Sequence, residues 1–184
     1  SEETVNLDEE NQYKNFWLID PIDGTKDYIN KQDEYTLNAA LILNSKPALG
    51  IIYAPEKKRL FYSYGHENAY EFANNKTVKL NCAKNKKTEK GKVFALYNAS
   101  KLPTEIENIY KENHVSSWVR MSSSLKFCVI AAGEADIYAA KARAYEWDIA
   151  AGHAILQHAG GTITTLSRKE ITYGKKNYQN PAIL

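Results

Sequence analysis

Between Trp17 and Ile29 the chain reads Trp-Leu-Ile-Asp-Pro-Ile-Asp-Gly-Thr-Lys-Asp-Tyr-Ile, and no other stretch restricts the fold as strongly. Trp17, Leu18 and Ile19 form an apolar run suited to a buried strand end, although a run this short carries no period of its own. Pro21 lacks a backbone donor, so strand pairing is predicted to stop there and the chain to turn. Gly24 permits a close backbone approach, Thr25 brings a hydroxyl, and the residues after it follow a helical pattern. Two carboxylates, Asp20 and Asp23, thus stand three residues apart at a strand-to-helix corner. Carboxylate oxygens suit a hard cation such as Mg²⁺, and the free N–H groups of a helix start suit phosphate. Together they point to metal-assisted phosphate chemistry. Asp, Pro and Gly are also common turn residues, so a plain surface turn is the competing reading. Two features favour chemistry: the apolar run abuts the acids, and a second Trp-Asp pair, Trp147-Asp148, recurs ahead of its own helix.

Asp20-Pro-Ile-Asp-Gly-Thr25 taken with Trp147-Asp-Ile-Ala-Ala-Gly152 resembles the paired signature of the inositol monophosphatase superfamily of metal-dependent, lithium-sensitive phosphatases. Lys26-Asp27-Tyr28 and Ser123-Ser-Leu-Lys-Phe-Cys128 resemble its CysQ branch, the 3′(2′),5′-bisphosphate nucleotidases. The similarity runs from Ser1-Glu-Glu3 to Asn180-Pro181. It implies an α/β layered sandwich of αβαβα architecture that lacks its first two helices. In the family those helices precede the Glu-Glu and carry a further Asp, which pairs with the motif threonine and helps hold a metal. The resemblance implies two or three Mg²⁺ ions, with Mn²⁺ as a substitute, held by Glu2, Asp20, Asp23, Asp148 and the Ile22 carbonyl. It assigns catalysis to Glu2, Asp20, Asp23, Thr25 and Asp148, with Thr25 orienting an attacking water. Substrate contacts fall to Gly24, Thr25, Lys26, Ser123, Ser124 and Lys126.

The implied reaction removes the 3′-phosphate of adenosine 3′,5′-bisphosphate, or of 3′-phosphoadenosine 5′-phosphosulfate, by in-line attack of an activated water. Lys26 and Lys126 favour such a bisphosphate over an inositol or sugar monophosphate, the second reading within the superfamily. The reading from another class is a truncated remnant that only binds metal or phosphate, or serves as an interaction module. One departure stands out: where the CysQ branch has a Ser-Arg-Ser-His-like run, this chain has Leu96-Tyr-Asn-Ala99, so a nucleotide contact is lost.

Composition narrows the field. With 184 residues, 43% hydrophobic and 25% charged, the chain is an ordinary globular one. A net charge of +2 gives no argument for nucleic acid as a partner. No apolar run approaches the ~20 residues of a membrane span. Cys82 and Cys128 have no metal-like spacing and read as free thiols in a reducing cytoplasm. A homodimer and a peripheral attachment at the inner face of a membrane stay open. Ser1 is not an initiator Met, which suggests a fragment, a processed chain or a shortened gene. Absent helices would leave apolar surface exposed.

Along the chain, residues 1–88 read as the metal-site half, an antiparallel meander, and residues 89–184 as an α/β half that closes the site, with the charged Lys84–Lys92 run between. Thr104-Glu-Ile-Glu107 has capping-box spacing at the head of a helix with an Ile106, Ile109, Tyr110 stripe. Helices are predicted over Ser122–Ala132 and Trp147–Ala159, and a strand over Thr162–Leu166. Asp148, taken alone, reads as an ordinary N-cap. His153 and His158 miss the i,i+4 spacing of a zinc pair, and Ser122-Ser-Ser124 lacks a nucleophile elbow.

Overall fold

The computed structural model describes residues 13–184. The expected Glu2 ligand lies outside the described residues.

Six antiparallel strands run in sequence order as a meander: β1 (Phe16–Asp23), β2 (Thr36–Leu43), β3 (Lys46–Ala54), β4 (Arg59–Ser63), β5 (Ala69–Ala73) and β6 (Lys76–Lys79). A short helix, α1 (Thr25–Ile29), joins β1 to β2. The first strand differs from expectation, because Pro21 does not end it. Asp20 pairs with Asn38 and Asp23 with Thr36, so β1 carries one extra residue and bulges over Pro21. β1 is an edge strand, where a missing N–H costs no ladder bond, and a bulge absorbs the proline's fixed φ. The bulge is what brings both aspartates to one end of the strand.

Alternation in β2 sends Thr36, Asn38, Ala40 and Ile42 inward, while Leu37 and Leu43 face out. On the outer face Trp17, Ile19, Leu37, Leu43, Ile51 and Tyr53 remain exposed. The inner face packs against α4 (Glu146–His158). A Cβ on Gly50 of β3 would stand 2.3 Å from the Ala151 carbonyl, so only glycine lets this helix lie so close to the sheet. Gly152, on another side of α4, leaves room for the ring of Phe127, which a Cβ would meet at 2.3 Å. Phe127 belongs to α3 (Leu125–Ala131), and α4 is buried around most of its circumference because it lies between that helix and the sheet.

A second, parallel sheet of order β8-β7-β9 is built from β7 (Val93–Tyr97), β8 (Val115–Arg120) and β9 (Ile137–Tyr138), with α2 (Thr104–Glu112) between β7 and β8. Tyr110 of α2 locks this half, its hydroxyl donating 2.5 Å to the Leu96 carbonyl and accepting from the Ala139 amide at 3.3 Å. The arrangement is the expected layered α/β sandwich.

Three local expectations are corrected. Thr104 does not cap α2; the N-cap is Pro103 and no side-chain cap bond forms. α3 begins at Leu125 rather than Ser122, because Ser123 takes the left-handed conformation at φ 51°. Residues 162–166 form only isolated bridges, Thr164 with Glu170 and Thr165 with Ile183. Cys82 and Cys128 are free thiols, as expected. His153 is packed: its Nδ1 lies 2.9 Å from the Tyr173 hydroxyl, and burial pushes its pKa down to about 4.

Candidate metal and phosphate site

The β1 bulge delivers Asp20 and Asp23, and the first turn of α4 delivers Asp148. One carboxylate oxygen from each lies within 4.8 Å of the others. Asp148 is the third residue of its helix rather than the cap, and its Oδ2 accepts the Tyr145 amide at 2.7 Å. A carboxylate here is also favoured by the partial positive charge of the helix start. Asp20 turns back on its own strand, Oδ1 accepting the Ile22 amide at 3.1 Å. All three acids are half-buried.

Burial raises the carboxyl pKa of Asp23, opposed by the charge of Lys126 and by the hydrogen bond from the Ser124 amide. Behind it the Ser124 hydroxyl lies 2.9 Å from Thr36 Oγ1 and donates 2.7 Å to Asn38 Oδ1. The sequence reading missed Thr36 and Asn38. Residue order hid them, because Leu37, Leu41 and Leu43 hold the opposite face of β2 and only the fold turns Thr36 and Asn38 inward.

Lys126 is buried, its Nζ donating to the Ser123 carbonyl and lying 5.1 Å over the Tyr138 ring. Burial lowers its pKa, against the attraction of Asp23, Asp148, Glu34 and Asp27. Its Nζ thus sits among these acids. Ser123 and Ser124, expected to bind substrate, are buried, and their hydroxyls already serve the Glu34 carbonyl and the Thr36–Asn38 pair. Thr25 and Lys26 are exposed at the head of α1, and Gly24 precedes them at φ +87°, a conformation suited to glycine. The structure therefore brings Asp20, Asp23, Asp148 and Lys126 together and keeps Lys26 on the solvent side.

Three converging carboxylates with one ammonium can hold a hard divalent cation and, through it, a phosphate. The model of the inositol monophosphatase family matches residues 1–182. The chain belongs to the inositol monophosphatase family. Within that family it is 36% identical over 173 residues to the 3′(2′),5′-bisphosphate nucleotidase CysQ of Buchnera aphidicola, covering 94% of this chain and 63% of the relative. It is 32% identical to the CysQ of Salmonella typhimurium, over 92% of this chain and 67% of the relative. The crystal structure of CysQ from Bacteroides thetaiotaomicron superposes with a TM-score of 0.82 at 29% identity, over 93% of this chain and 69% of that one. The chain thus spans roughly two thirds of the length of these relatives. No helix among the described residues is long and apolar enough to cross a membrane.

Proposed function

We propose that the chain forms the core of a divalent-cation-dependent phosphomonoesterase acting on the 3′-phosphate of adenosine 3′,5′-bisphosphate or 3′-phosphoadenosine 5′-phosphosulfate. The observation that carries this reading is the meeting of Asp20, Asp23 and Asp148 within 4.8 Å beside the buried Lys126. An all-carboxylate donor set fits Mg²⁺ or Mn²⁺. When bound, such ions activate water as Lewis acids and neutralise charge on the phosphoryl group. Asp20, Asp23 and Asp148 would hold them, with Glu2 and the Ile22 carbonyl as the further ligands that the family resemblance implies.

The remaining residues act on the ester. Three carboxylates with one ammonium leave a net negative site, which would match a phosphate dianion only with divalent cations held there. Lys126 then holds a phosphate oxygen, and its burial makes that contact strong because little water screens it. Thr25 orients the attacking water from the head of α1, and Lys26 meets the outer part of the substrate. In this reading the half 1–88 supplies Asp20 and Asp23 and the half 89–184 supplies Asp148 and Lys126. Similarity to CysQ nucleotidases favours a bisphosphate substrate.

The test is phosphate release from adenosine 3′,5′-bisphosphate with Mg²⁺, with and without Li⁺, beside Asp148→Asn. We expect Li⁺-inhibited turnover that falls about 100-fold or more in the variant. Faster hydrolysis of inositol 1-phosphate would transfer the reading to a monophosphatase. A folded chain that binds Mg²⁺ but hydrolyses neither ester would support a binding role alone.

A further inference from the structure

Beside the metal corner lies a polar knot with no part in holding metal. Asp27 of α1 is only 3% exposed, and its Oδ2 lies 3.4 Å from the point a Gly24 Cβ would occupy. That carboxylate accepts the Ser122 hydroxyl at Oδ2 and Arg120 Nη2 at Oδ1, the latter at 3.2 Å. Arg120 Nη1 stands 3.6 Å from Glu34 Oε2, which accepts the Ser122 amide at 2.8 Å. The Ser123 hydroxyl donates to the Glu34 carbonyl. Five links therefore join two segments: α1 with the loop after it, and the connection from β8 to α3. The first segment begins at the acid corner. The second carries the Ser124 amide that reaches Asp23, and the turn of Lys126.

Taking the Asp27 carboxylate out of water, with an Arg120 that stays 43% exposed, costs more than apolar packing would to secure a five-residue helix. The arrangement makes sense as a spacer. Asp27 and Glu34 both attract Lys126, alongside Asp23 and Asp148. A guanidinium shared between Asp27 and Glu34 takes up that attraction and leaves the ammonium to the site.

We propose that Asp27 and Arg120 are positioning residues that set the gap between the Asp20–Gly24 corner and Lys126, and so control phosphate affinity independently of metal affinity. The inference rests on the reading of the site as a phosphate-ester site.

The 184-residue chain, Asp27→Asn, Arg120→Met, Arg120→Lys and the Asp27→Asn/Arg120→Met double variant would be compared by calorimetry. Mg²⁺ is titrated first, then inorganic phosphate at saturating Mg²⁺, and hydrogen exchange is followed over residues 24–30 and 120–126. Expected is a roughly tenfold loss of phosphate affinity in Asp27→Asn and in Arg120→Met, of the size of one charge-assisted hydrogen bond. The double variant should lose no more than about twofold beyond either single one, because both break the same link. Arg120→Lys should recover part of the loss, since an ammonium keeps the charge but cannot span both carboxylates. Mg²⁺ affinity should stay within about twofold, and exchange should rise in those two segments alone. Unchanged phosphate affinity in both single variants overturns the proposal. So does a joint fall of Mg²⁺ and phosphate affinity with faster exchange across the six-stranded sheet, which would mark a folding role. A parent chain that binds neither Mg²⁺ nor phosphate sinks the reading of the site, and the spacer role with it.

Discussion

Replacing Asp148 by Asn should stabilise the metal-free chain while removing its response to Mg²⁺. The carboxylate oxygens of Asp20, Asp23 and Asp148 lie no more than 4.8 Å apart. At an effective dielectric of 20, two unit charges at that distance repel by about 3.5 kcal/mol, and roughly half of that where water penetrates. Asp148 takes part in two such pairs, a gross penalty of about 3–7 kcal/mol. Lys126 offsets part of it, and the favourable place of an acid in the first turn of α4 offsets about 0.3–1 kcal/mol more. Asn keeps an oxygen for the Tyr145 amide. The net gain should be roughly 1–3 kcal/mol at about pH 7.5 without metal. Urea denaturation with EDTA, and again with Mg²⁺ in excess, reads both halves of the prediction. The parent should gain about 2.7 kcal/mol at a hundredfold excess of Mg²⁺ over its dissociation constant, and the Asp148→Asn variant almost nothing. A metal-free variant less stable than the parent by more than ~1 kcal/mol would refute the repulsion argument. Equal Mg²⁺ stabilisation of both chains would refute the site.

Other consequences concern the scaffold. His153 is buried neutral with its pKa lowered to about 4 from 6.5, so the unfolded chain binds the proton first as pH falls. Its contribution is fully present above pH 6.5 and is lost towards pH 4, by about 3 kcal/mol, and His153→Gln should flatten that slope in urea melts. Gly152→Ala should gain helix propensity yet lose about 1–3 kcal/mol overall, because its Cβ would stand 2.3 Å from the Phe127 ring; a raised melting temperature would contradict this packing. Glu146, fully buried at the start of α4, accepts the Gly174 amide at 2.8 Å, the Lys175 amide at 3.0 Å and Lys175 Nζ at 2.6 Å. Glu146→Gln should cost about 1–3 kcal/mol and speed exchange at residues 174–175, and an unchanged midpoint would mean that water replaces the lysine at no cost.

Local patterns carried much of this architecture into view. The strand formers of Thr36–Leu43, the Ile106–Tyr110 stripe of α2 and the apolar length of α4 all report their elements by residue order alone. Where the reading went astray, a neighbour in space had outweighed a local preference. Pro21 breaks most strands, but on an edge with a bulge it breaks nothing. Thr104 has the chemistry of a cap, yet the chain enters α2 through Pro103. Ser122 and Ser123 look helical, and the contacts of both with Asp27 and Glu34 hold them outside α3. Thr162–Leu166 is rich in strand formers but finds only single bridges to pair with.

The residues of the two acid corners were legible in the sequence, since Asp20-Pro-Ile-Asp-Gly24 and Trp147-Asp148 are each contiguous runs. So was the family, from two such runs in order. Only the tertiary structure decided that Asp148, 125 positions beyond Asp23, closes on the same 4.8 Å cluster, that Lys126 is buried beside it, and that Asp27 and Arg120 join behind it. The reason is that charge in a folded chain is governed by distance and burial, and both arise where α4 and α3 pack on the sheet rather than in the order of residues.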